Sequence, residues 1–365
     1  MIVAGAVVGF AFAASSAFVA HGLFELPAPT GRFSVGTVTF DLPRFTVQIW
    51  YPALASNERA LYGTGRGGVK AWLYRRLVRT HSAAGAPAVS RRSPVLVYVP
   101  AWGGERTENT ALIEELVSYG YVVAAFDDVT RDSPVLSSLA GAFDVETDET
   151  YRASLELANR RLRYETQRAS SVLDRLTELN DGDVGSPFTN RLDLRRVGIF
   201  GYSFGGAVAL ETCRRDRRFL AAMNLDGLLF GAADGYEGGV PYFLVSNSDP
   251  LPTAADLVSD DPPVRNMSKA IFRDIADQRA ALHTGYELVV PGTRHASFND
   301  APLYAPLQRL RSGWSNPPRV ITVLRQYTLA FFDRALLGRP SPLLAAGTRG
   351  WHETRFAVGG PVSPQ

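Results

Sequence analysis

Short apolar runs recur along the chain, and each is bounded by Gly, Pro, Asp or Asn. The runs lie at residues 45–50, 95–99, 121–126, 197–200, 220–225, 242–246 and 286–290. Runs of this length that are rich in β-branched and aromatic residues and end at turn formers predict β-strands. A further apolar segment at 37–40 shortly precedes the first run, and the two together predict a leading β-hairpin.

Longer segments between these runs carry apolar residues at helical spacing. They lie at 108–118, 151–179, 207–214, 267–282 and 319–337. A regular alternation of strands and helices predicts the α/β class, with a mostly parallel central sheet and helices on both faces. We expect one such domain over residues 30–340, because a single α/β domain commonly takes about 250 to 300 residues. Ligands of such sheets bind at the carboxyl ends of the strands.

The start of the chain has a different pattern. Residues 2–20 carry no charge, and Ser15 and Ser16 are their only polar side chains. An apolar stretch of about 20 residues is long enough to span a bilayer, which favours export over a buried core helix. We therefore expect residues 1–22 to be a signal peptide or a membrane anchor, and the protein to be extracytoplasmic. The choice between signal and anchor stays open, because the stretch lacks the basic residues that precede a typical signal.

Three other segments interrupt or follow the α/β pattern. Residues 61–92 are rich in arginine with aromatic residues and leucine interleaved, which predicts a solvated helix and loop or, alternatively, a surface for anionic lipid. Residues 131–150 follow a predicted strand and are either a lid over the site or a surface loop. Residues 341–365 include a Gly/Pro-rich end and predict a peripheral C-terminal tail.

Composition narrows the functional classes. The chain has 365 residues, of which 46% are hydrophobic and 20% are charged, so it can bury a substantial core. Its net charge of +2 is too small to indicate a nucleic-acid partner. The single cysteine, Cys213, excludes an internal disulfide and lacks the partners of a thiolate metal site.

The strongest chemical signal lies where a predicted strand meets a predicted helix. Residues 201–205 read Gly-Tyr-Ser-Phe-Gly, the G-x-S-x-G pattern of a nucleophile elbow. A strand that turns sharply into a helix needs small neighbours, which the glycines of this segment provide. The pattern predicts Ser203 as a nucleophile at the top of the sheet, with the backbone N–H of Phe204 directed at the oxyanion.

A serine nucleophile needs a histidine base that takes its proton. Four of the five histidines lie beside the apolar start, in a basic loop, at a helix end and in the tail, namely His21, His81, His283 and His352. His295 follows the last predicted strand, where the base of an elbow-bearing α/β sheet belongs. His295 is therefore the predicted base.

Two aspartates compete to be the acid that orients this histidine. Asp226 follows the run 220–225, and Asp249 follows the run 242–246. Each lies at the carboxyl end of a strand that comes after the elbow, so the pattern alone does not choose between them. An aspartate before proline, as Asp249 is, commonly initiates a turn without any catalytic part.

At four places the chain resembles the secreted platelet-activating-factor acetylhydrolases and the related bacterial dienelactone and polyester hydrolases of the α/β-hydrolase superfamily. The matching stretches are Val-Tyr-Val-Pro-Ala-Trp-Gly-Gly at 97–104, the elbow region at 195–206, Asn-Leu-Asp-Gly-Leu-Leu-Phe at 224–230 and Arg-His-Ala-Ser-Phe-Asn-Asp at 294–300. The elbow is common to the superfamily, whereas the Leu-Asp and His-x-x-Phe-x-Asp patterns are more discriminating. The resemblance covers most of residues 40–337.

This resemblance implies the α/β-hydrolase fold and a serine carboxylic-ester hydrolase. Its nucleophile, orienting acid and general base would be Ser203, Asp226 and His295. It therefore favours Asp226 over Asp249. Such chemistry requires no metal and no organic cofactor.

The resemblance also implies an oxyanion hole made by the backbone N–H groups of Trp102 and Phe204. The chain departs from the family at 100–101, where Pro-Ala stands in place of the usual His-Gly, so the side chains around this hole differ. Aromatic residues expected to line the substrate site, besides Trp102 and Phe204, are Tyr202, Phe230 and Phe298.

Three functional classes fit these observations. The leading class is an esterase that acts through an acyl-enzyme on short-acyl phospholipids, such as platelet-activating factor, or on other small esters. The second is a polyester or cutinase-like hydrolase, a lactone hydrolase or an acyltransferase on the same scaffold. The third is a non-catalytic binding protein held at the membrane by residues 2–20, although such a protein has no need of an intact serine, aspartate and histidine. The expected partner is a small or lipid ester, and not a nucleic acid.

Overall fold

The computed structural model describes residues 24–64, 76–129, 139–183, 186–231, 239–283, 285–305, 316–346, 351 and 354–359. The apolar segment 1–22 lies outside these residues, as do residues 65–75 of the basic insertion and 131–138 of the candidate lid. Among the helices described, none combines the length and the apolar character needed to cross a membrane.

Ten strands and six helices form the described part of the chain. The strands are β1 (Ser34–Leu42), β2 (Phe45–Ala53), β3 (Ser82–Ala84), β4 (Ser93–Val99), β5 (Val122–Phe126), β6 (Leu192–Tyr202), β7 (Phe219–Leu225), β8 (Tyr242–Ser246), β9 (Tyr286–Val289) and β10 (Arg355–Val358). The helices are α1 (Thr110–Ser118), α2 (Asp148–Asp181), α3 (Phe204–Arg215), α4 (Pro262–Leu282), α5 (Ala301–Tyr304) and α6 (Pro317–Leu337).

All ten strands belong to one sheet, in the order β10-β9-β8-β7-β6-β4-β5-β2-β1-β3. The six central strands, β5-β4-β6-β7-β8-β9, are parallel. The leading hairpin β1–β2 joins β5 in antiparallel fashion, and β10 is antiparallel to β9. This confirms the predicted α/β fold with a mostly parallel sheet, and every strand predicted from an apolar run is present.

The sheet is covered on both faces, which explains why its strands are continuous apolar runs. Along β4, Val95, Val97 and Val99 belong to the core that also contains residues of α2, α3 and α4. The alternate residues Leu96 and Tyr98 face the second core, together with residues of α1 and α6. Because side chains of a strand alternate between faces, a strand buried on both sides has no polar face to reveal its period.

Four helices, α2, α3, α4 and α6, begin earlier than their apolar spacing predicts, and the first turns of α2 and α4 show why. Helix α2 starts after Thr147, whose hydroxyl accepts a hydrogen bond from the backbone N–H of Thr150 at 3.0 Å. The first buried apolar residue of this helix is Tyr151, so the polar capping turn precedes the pattern. Helix α4 begins at Pro262, and proline in the first turn of a helix loses no hydrogen bond.

Two short edge strands were not predicted. Strand β3 lies in the basic insertion 61–92 and is parallel to β1, and β10 lies in the segment 341–365 and is antiparallel to β9. They have three and four residues, too few for an alternating pattern to be visible in the sequence. Each forms because an edge strand offers unpaired backbone groups to a nearby segment.

Strand β10 contributes one aromatic side chain to the core, and this contact can be tested. The ring of Phe356 stacks on Tyr286 at 5.9 Å between centroids and lies 5.7 Å from Tyr327. We expect Phe356→Ala to lower the free energy of unfolding by about 2 kcal/mol, since the ring is partly buried. The control Val358→Ala removes an exposed side chain of the same strand and should cost less than about 0.5 kcal/mol. If both variants unfolded at the same urea concentration, Phe356 of β10 would not stabilise the core.

Candidate active site

Ser203 lies at the turn between β6 and α3, in a backbone conformation that few residues adopt. Its φ is 55° and its ψ is −123°. The N–H of Ser203 donates to the carbonyl of Leu225 at 2.9 Å, and its carbonyl accepts from the N–H of Gly206 at 2.9 Å. A positive φ outside glycine is strained and persists only where the surroundings hold it, as these two hydrogen bonds do.

The glycines around Ser203 lie where no side chain fits. A Cβ atom at Gly205 would lie 2.1 Å from the carbonyl oxygen of Val99, and one at Gly206 would lie 1.8 Å from Asn224 Oδ1. A Cβ atom at Gly201 would lie 2.2 Å from the carbonyl oxygen of Gly205. Helix α3 therefore approaches the end of β4 at backbone contact distance and packs directly against the Asn224 side chain of β7.

Three predicted residues from three separate segments are joined by hydrogen bonds. His295 begins a short turn after β9, and its Nε2 lies 2.9 Å from Ser203 Oγ. Its Nδ1 lies 2.7 Å from Asp226 Oδ2. Because a carboxylate only accepts, Nδ1–H donates to Asp226, and in the neutral ring Nε2 accepts from the hydroxyl of Ser203. The arrangement can take a proton from the serine and hold the resulting positive charge beside a carboxylate.

Asp226 is held rigidly at the end of β7. Its N–H donates to the carbonyl of Val245 at 2.8 Å, and its φ is 58°. Its Oδ1 accepts from the backbone N–H of Asn247 at 2.7 Å, and its Oδ2 accepts from the Asn247 side chain at 2.8 Å. Asn247 was not singled out from the sequence, although it follows β8 as Asp226 follows β7.

Asp249, the rival acid, lies elsewhere in the same group of loops. Its N–H donates to the side chain of Asn247 at 2.7 Å, and its Oδ1 lies 3.9 Å from Arg294 Nε. Both side chains of this ion pair are more than half exposed. The structure thus brings Asp226 to the ring of His295 and places Asp249 beside the residue that precedes it.

The electrostatic surroundings raise the pKa of His295. Burial lowers its pKa, but the hydrogen bond to Asp226 and the negative charge of that carboxylate outweigh burial, so the pKa lies above the ordinary value. Tyr202 supports the ring from behind, since the two rings stack at 5.1 Å and the Tyr202 hydroxyl donates to the carbonyl of His295 at 3.0 Å.

The two predicted oxyanion donors lie at neighbouring turns. Phe204 is the first residue of α3, and the first N–H groups of a helix have no acceptor within it. Trp102 lies in the loop between β4 and α1, residues 100–109, which we call the β4–α1 loop. There the N–H of Gly104 donates to the carbonyl of Ala101 at 2.8 Å. The N–H of Ala101 donates to Glu108 Oε1 at 2.6 Å, a contact that the sequence analysis did not anticipate.

Aromatic side chains gather beside these turns. The ring of Trp102 lies 5.0 Å from Phe204 and 6.3 Å from Phe143, and Phe230 lies 5.3 Å from Phe143 and 5.6 Å from Phe204. We call these four residues the aromatic cluster. Of its members, Trp102, Phe143 and Phe230 are partly exposed. By contrast Phe298 is fully buried, in the core that also contains residues of α1 and α6.

Trp102 also ties the β4–α1 loop to the second half of the candidate lid. Its indole N–H donates to the carbonyl of Gly141 at 2.8 Å. The guanidinium of Arg161, which is fully buried and paired with Asp128, lies 3.9 Å from the centre of the indole ring. Residues 139–143 therefore lie against the loop that carries the predicted oxyanion donor.

A shallow depression that is open to solvent adjoins the aromatic cluster at Phe230. It lies between α2, α4 and the segment after β7. Its apolar walls are Tyr151, Leu155, Leu228, Phe230 and Ala270, and its polar walls are Asn159, Arg273, Asp274 and Asp277.

Comparisons with known proteins agree with this architecture. The family model for platelet-activating factor acetylhydrolase, isoform II, matches residues 78–336. Platelet-activating factor acetylhydrolase of Bos taurus is 28% identical over 171 residues, 40% of this chain and 38% of that protein. The probable 1-alkyl-2-acetylglycerophosphocholine esterase of Arthroderma benhamiae is 24% identical over 282 residues, 72% of this chain and 66% of that protein.

A solved structure extends the likeness to nearly the whole chain. The ferulic acid esterase from Streptomyces cinnamoneus has 30% identity and a TM-score of 0.68, and the match covers 91% of this chain and 98% of that one. By contrast, the chain spans 38% of the length of the Bos taurus protein and 66% of the length of the Arthroderma benhamiae protein. The resemblance stated from the sequence and the expected fold are both confirmed.

The contact between Asp226 and His295 makes a prediction that needs no substrate. We expect His295 to titrate above the ordinary histidine value of about 6.5 in the wild type. Asp226→Asn should lower the pKa of His295, because it removes the neighbouring charge, whereas Asp249→Asn should leave it unchanged. Side-chain NMR of labelled histidine measures both, with His295→Gln to assign the resonance. Equal titration in wild type and Asp226→Asn would contradict the contact.

Proposed function

The chain belongs to the family of platelet-activating factor acetylhydrolase, isoform II, and on this premise we propose that it is a serine carboxylic-ester hydrolase that works through an acyl-enzyme. The observation that carries the proposal is the series of hydrogen bonds from Ser203 Oγ to His295 and from His295 to Asp226, at 2.9 and 2.7 Å. A strained serine at an elbow with a base and an acid in line is the arrangement that acyl transfer requires.

In the proposed mechanism His295 takes the proton of Ser203 as the hydroxyl attacks the ester carbonyl. Asp226 holds the ring in the tautomer whose Nε2 can accept this proton, and its charge stabilises the histidinium. The histidinium then protonates the leaving alcohol. Water repeats the cycle on the acyl-enzyme, with His295 again as the base, and releases the carboxylic acid.

The negative charge that develops on the carbonyl oxygen would be met by the backbone N–H groups of Phe204 and Trp102. Because both groups lie on short turns held by backbone contacts, they need little reorganisation as the charge forms. Loss of one such donor typically costs about a hundredfold or more in turnover. The natural Pro-Ala at 100–101, in place of the family's usual His-Gly, leaves both oxyanion donors intact, since Trp102 itself retains its N–H.

Family membership supports a short-acyl phospholipid as the substrate class. The second candidate is an ester of a small aromatic acid, which is supported by the partly exposed aromatic cluster beside Ser203 and by the likeness to the ferulic acid esterase. Polyester hydrolysis, lactone hydrolysis and acyl transfer would use the same residues and differ in the ester cleaved or in what captures the acyl group.

We further propose that residues 30–340 form the hydrolase domain and that residues 1–22 direct the protein out of the cytoplasm, as a signal peptide or as a membrane anchor. The physical basis is the uncharged stretch 2–20, whose length matches a bilayer.

Catalysis by Ser203 can be tested directly. Purified protein should hydrolyse p-nitrophenyl acetate, and Ser203→Ala should lower kcat by roughly a thousandfold or more, since the nucleophile is lost. A serine-directed phosphonate should inactivate the wild type and label Ser203 in a tryptic digest. Ser171→Ala is the matched control and should keep wild-type kcat, because the Ser171 hydroxyl donates only to the carbonyl of Gln167 within α2. Equal inactivity of wild type and Ser203→Ala on acetyl phospholipid, feruloyl and p-nitrophenyl esters would favour a non-catalytic binding protein.

The catalytic roles of Asp226 and Asp249 can be distinguished by substitution. Asp226→Asn should lower kcat by roughly ten-thousandfold, because the wrong histidine tautomer disables the base. Asp249→Asn should change kcat by no more than about threefold, since that side chain is exposed and pairs with Arg294. A larger loss of kcat in Asp249→Asn than in Asp226→Asn would instead identify Asp249 as the acid.

A further inference from the structure

Glu108 is a partly buried carboxyl at the end of the β4–α1 loop, and the proposed mechanism does not use it. Its Oε1 accepts two hydrogen bonds, from the N–H of Ala101 at 2.6 Å and from the hydroxyl of Tyr98 at 2.9 Å. Burial raises the pKa of Glu108 to about 7, against the opposing effect of these two hydrogen bonds. The carboxyl therefore joins the last turn before α1 to the end of β4.

A second hydrogen bond at Ala101 closes the turn that contains Trp102. The carbonyl of Ala101 accepts from the N–H of Gly104 at 2.8 Å, so Ala101 is held on both its donor and its acceptor. A Cβ atom at Gly104 would lie 2.6 Å from Glu108 Oε2, so only glycine fits between the turn and the carboxyl.

Peptide geometry connects these contacts to the oxyanion donor. The carbonyl of Ala101 and the N–H of Trp102 belong to one planar trans peptide and point in opposite directions. Whatever holds the Ala101 carbonyl therefore also directs the Trp102 N–H. Glu108 holds the preceding N–H, and Gly104 holds the carbonyl itself.

We propose that Glu108 is a positioning residue for ester hydrolysis: its carboxyl oxygen holds the N–H of Ala101 and so fixes the turn in which the Ala101–Trp102 peptide is held with the Trp102 N–H facing the oxyanion. The inference rests on the proposed function, because it concerns the same site. Glu108 touches neither Ser203 nor the substrate in this role, and acts through the backbone of Ala101.

The expected effect falls on turnover rather than on substrate binding. The oxyanion exists only after attack on the carbonyl, so a displaced donor lowers kcat and leaves the ground-state complex nearly unchanged. Complete loss of one donor costs about a hundredfold or more, and a displacement of about 1 Å costs a comparable amount. We expect Glu108→Ala to lower kcat by roughly ten- to hundredfold, with KM within about threefold of wild type.

Helix α1 supplies a matched control in Glu114. Its carboxyl is also buried with a raised pKa, and it also accepts from one backbone N–H, that of His81 at 2.9 Å, and from one hydroxyl, that of Ser82. These donors belong to strand β3 and its approach rather than to the β4–α1 loop. Glu114→Ala should therefore cost a similar amount of stability and leave kcat near the wild-type value.

The experiment compares Glu108→Ala, Glu108→Gln and Glu114→Ala in the full chain. Steady-state kcat and KM are measured with p-nitrophenyl acetate, and unfolding midpoints are measured in urea. Glu108→Gln keeps an oxygen where Oε1 accepts the Ala101 N–H, so it should restore kcat to within about threefold of wild type. Affinity for a trifluoromethyl ketone, which forms an oxyanion with the serine, should fall in Glu108→Ala in parallel with kcat.

Three results would overturn the inference. They are a wild-type kcat in Glu108→Ala, an equal loss of kcat in Glu108→Ala and Glu108→Gln, and an equal loss of kcat in Glu108→Ala and Glu114→Ala. If Glu108→Ala does not fold, Glu108→Asp replaces it, because the shorter side chain cannot reach both donors; a wild-type kcat in that variant would equally overturn the inference. An inactive wild type would instead refute the proposed function, so the two failures are distinguishable.

Discussion

The close backbone approach around Ser203 is the constraint on which the rest of the site depends. The end of β4, the elbow and the end of β7 meet where a Cβ atom at Gly205 would lie 2.1 Å from Val99 and one at Gly227 would lie 1.8 Å from the carbonyl of Ser203. A positive φ at Ser203 costs about 1–3 kcal/mol and persists only because the neighbouring strands fix both ends of the turn. The sheet therefore holds the strain that exposes the hydroxyl.

Because parallel strands end at one edge, side chains from distant parts of the chain meet there. Asp226 leaves β7, Asn247 leaves β8 and His295 follows β9, so one carboxylate receives hydrogen bonds from both neighbours. The β4–α1 loop adds the opposite side of the site, and it is anchored at Arg106, whose N–H and guanidinium both donate to the buried Asp127 at the end of β5. Asp226 and Asn247 directly follow their strands, so hydrogen bonds to the sheet and to each other fix their relative positions.

Much of the fold could be predicted from the sequence because the signals are local. The central strands are apolar runs closed by turn formers, and the helices between them have apolar faces of the usual spacing. The edge strands β3 and β10 could not be predicted, since three or four residues carry no period and their pairing depends on β1 and β9. The starts of α2 and α4 lie before the apolar pattern because the first turn of α2 is polar and set by a cap, and α4 opens with two prolines before its first buried residue.

For the site, the sequence by itself determined the elbow serine and the loop histidine, since a glycine-bracketed serine after an apolar strand and a histidine after the last strand are local patterns. It left two aspartates as equals until the family resemblance was considered. Only the tertiary structure decided which carboxylate meets His295 Nδ1, at 2.7 Å, and that Asp249 faces Arg294. The hydrogen bonds that Asn247 and Glu108 make were likewise decided only by the tertiary structure. They depend on strand order and on the path of each loop, which no local pattern encodes.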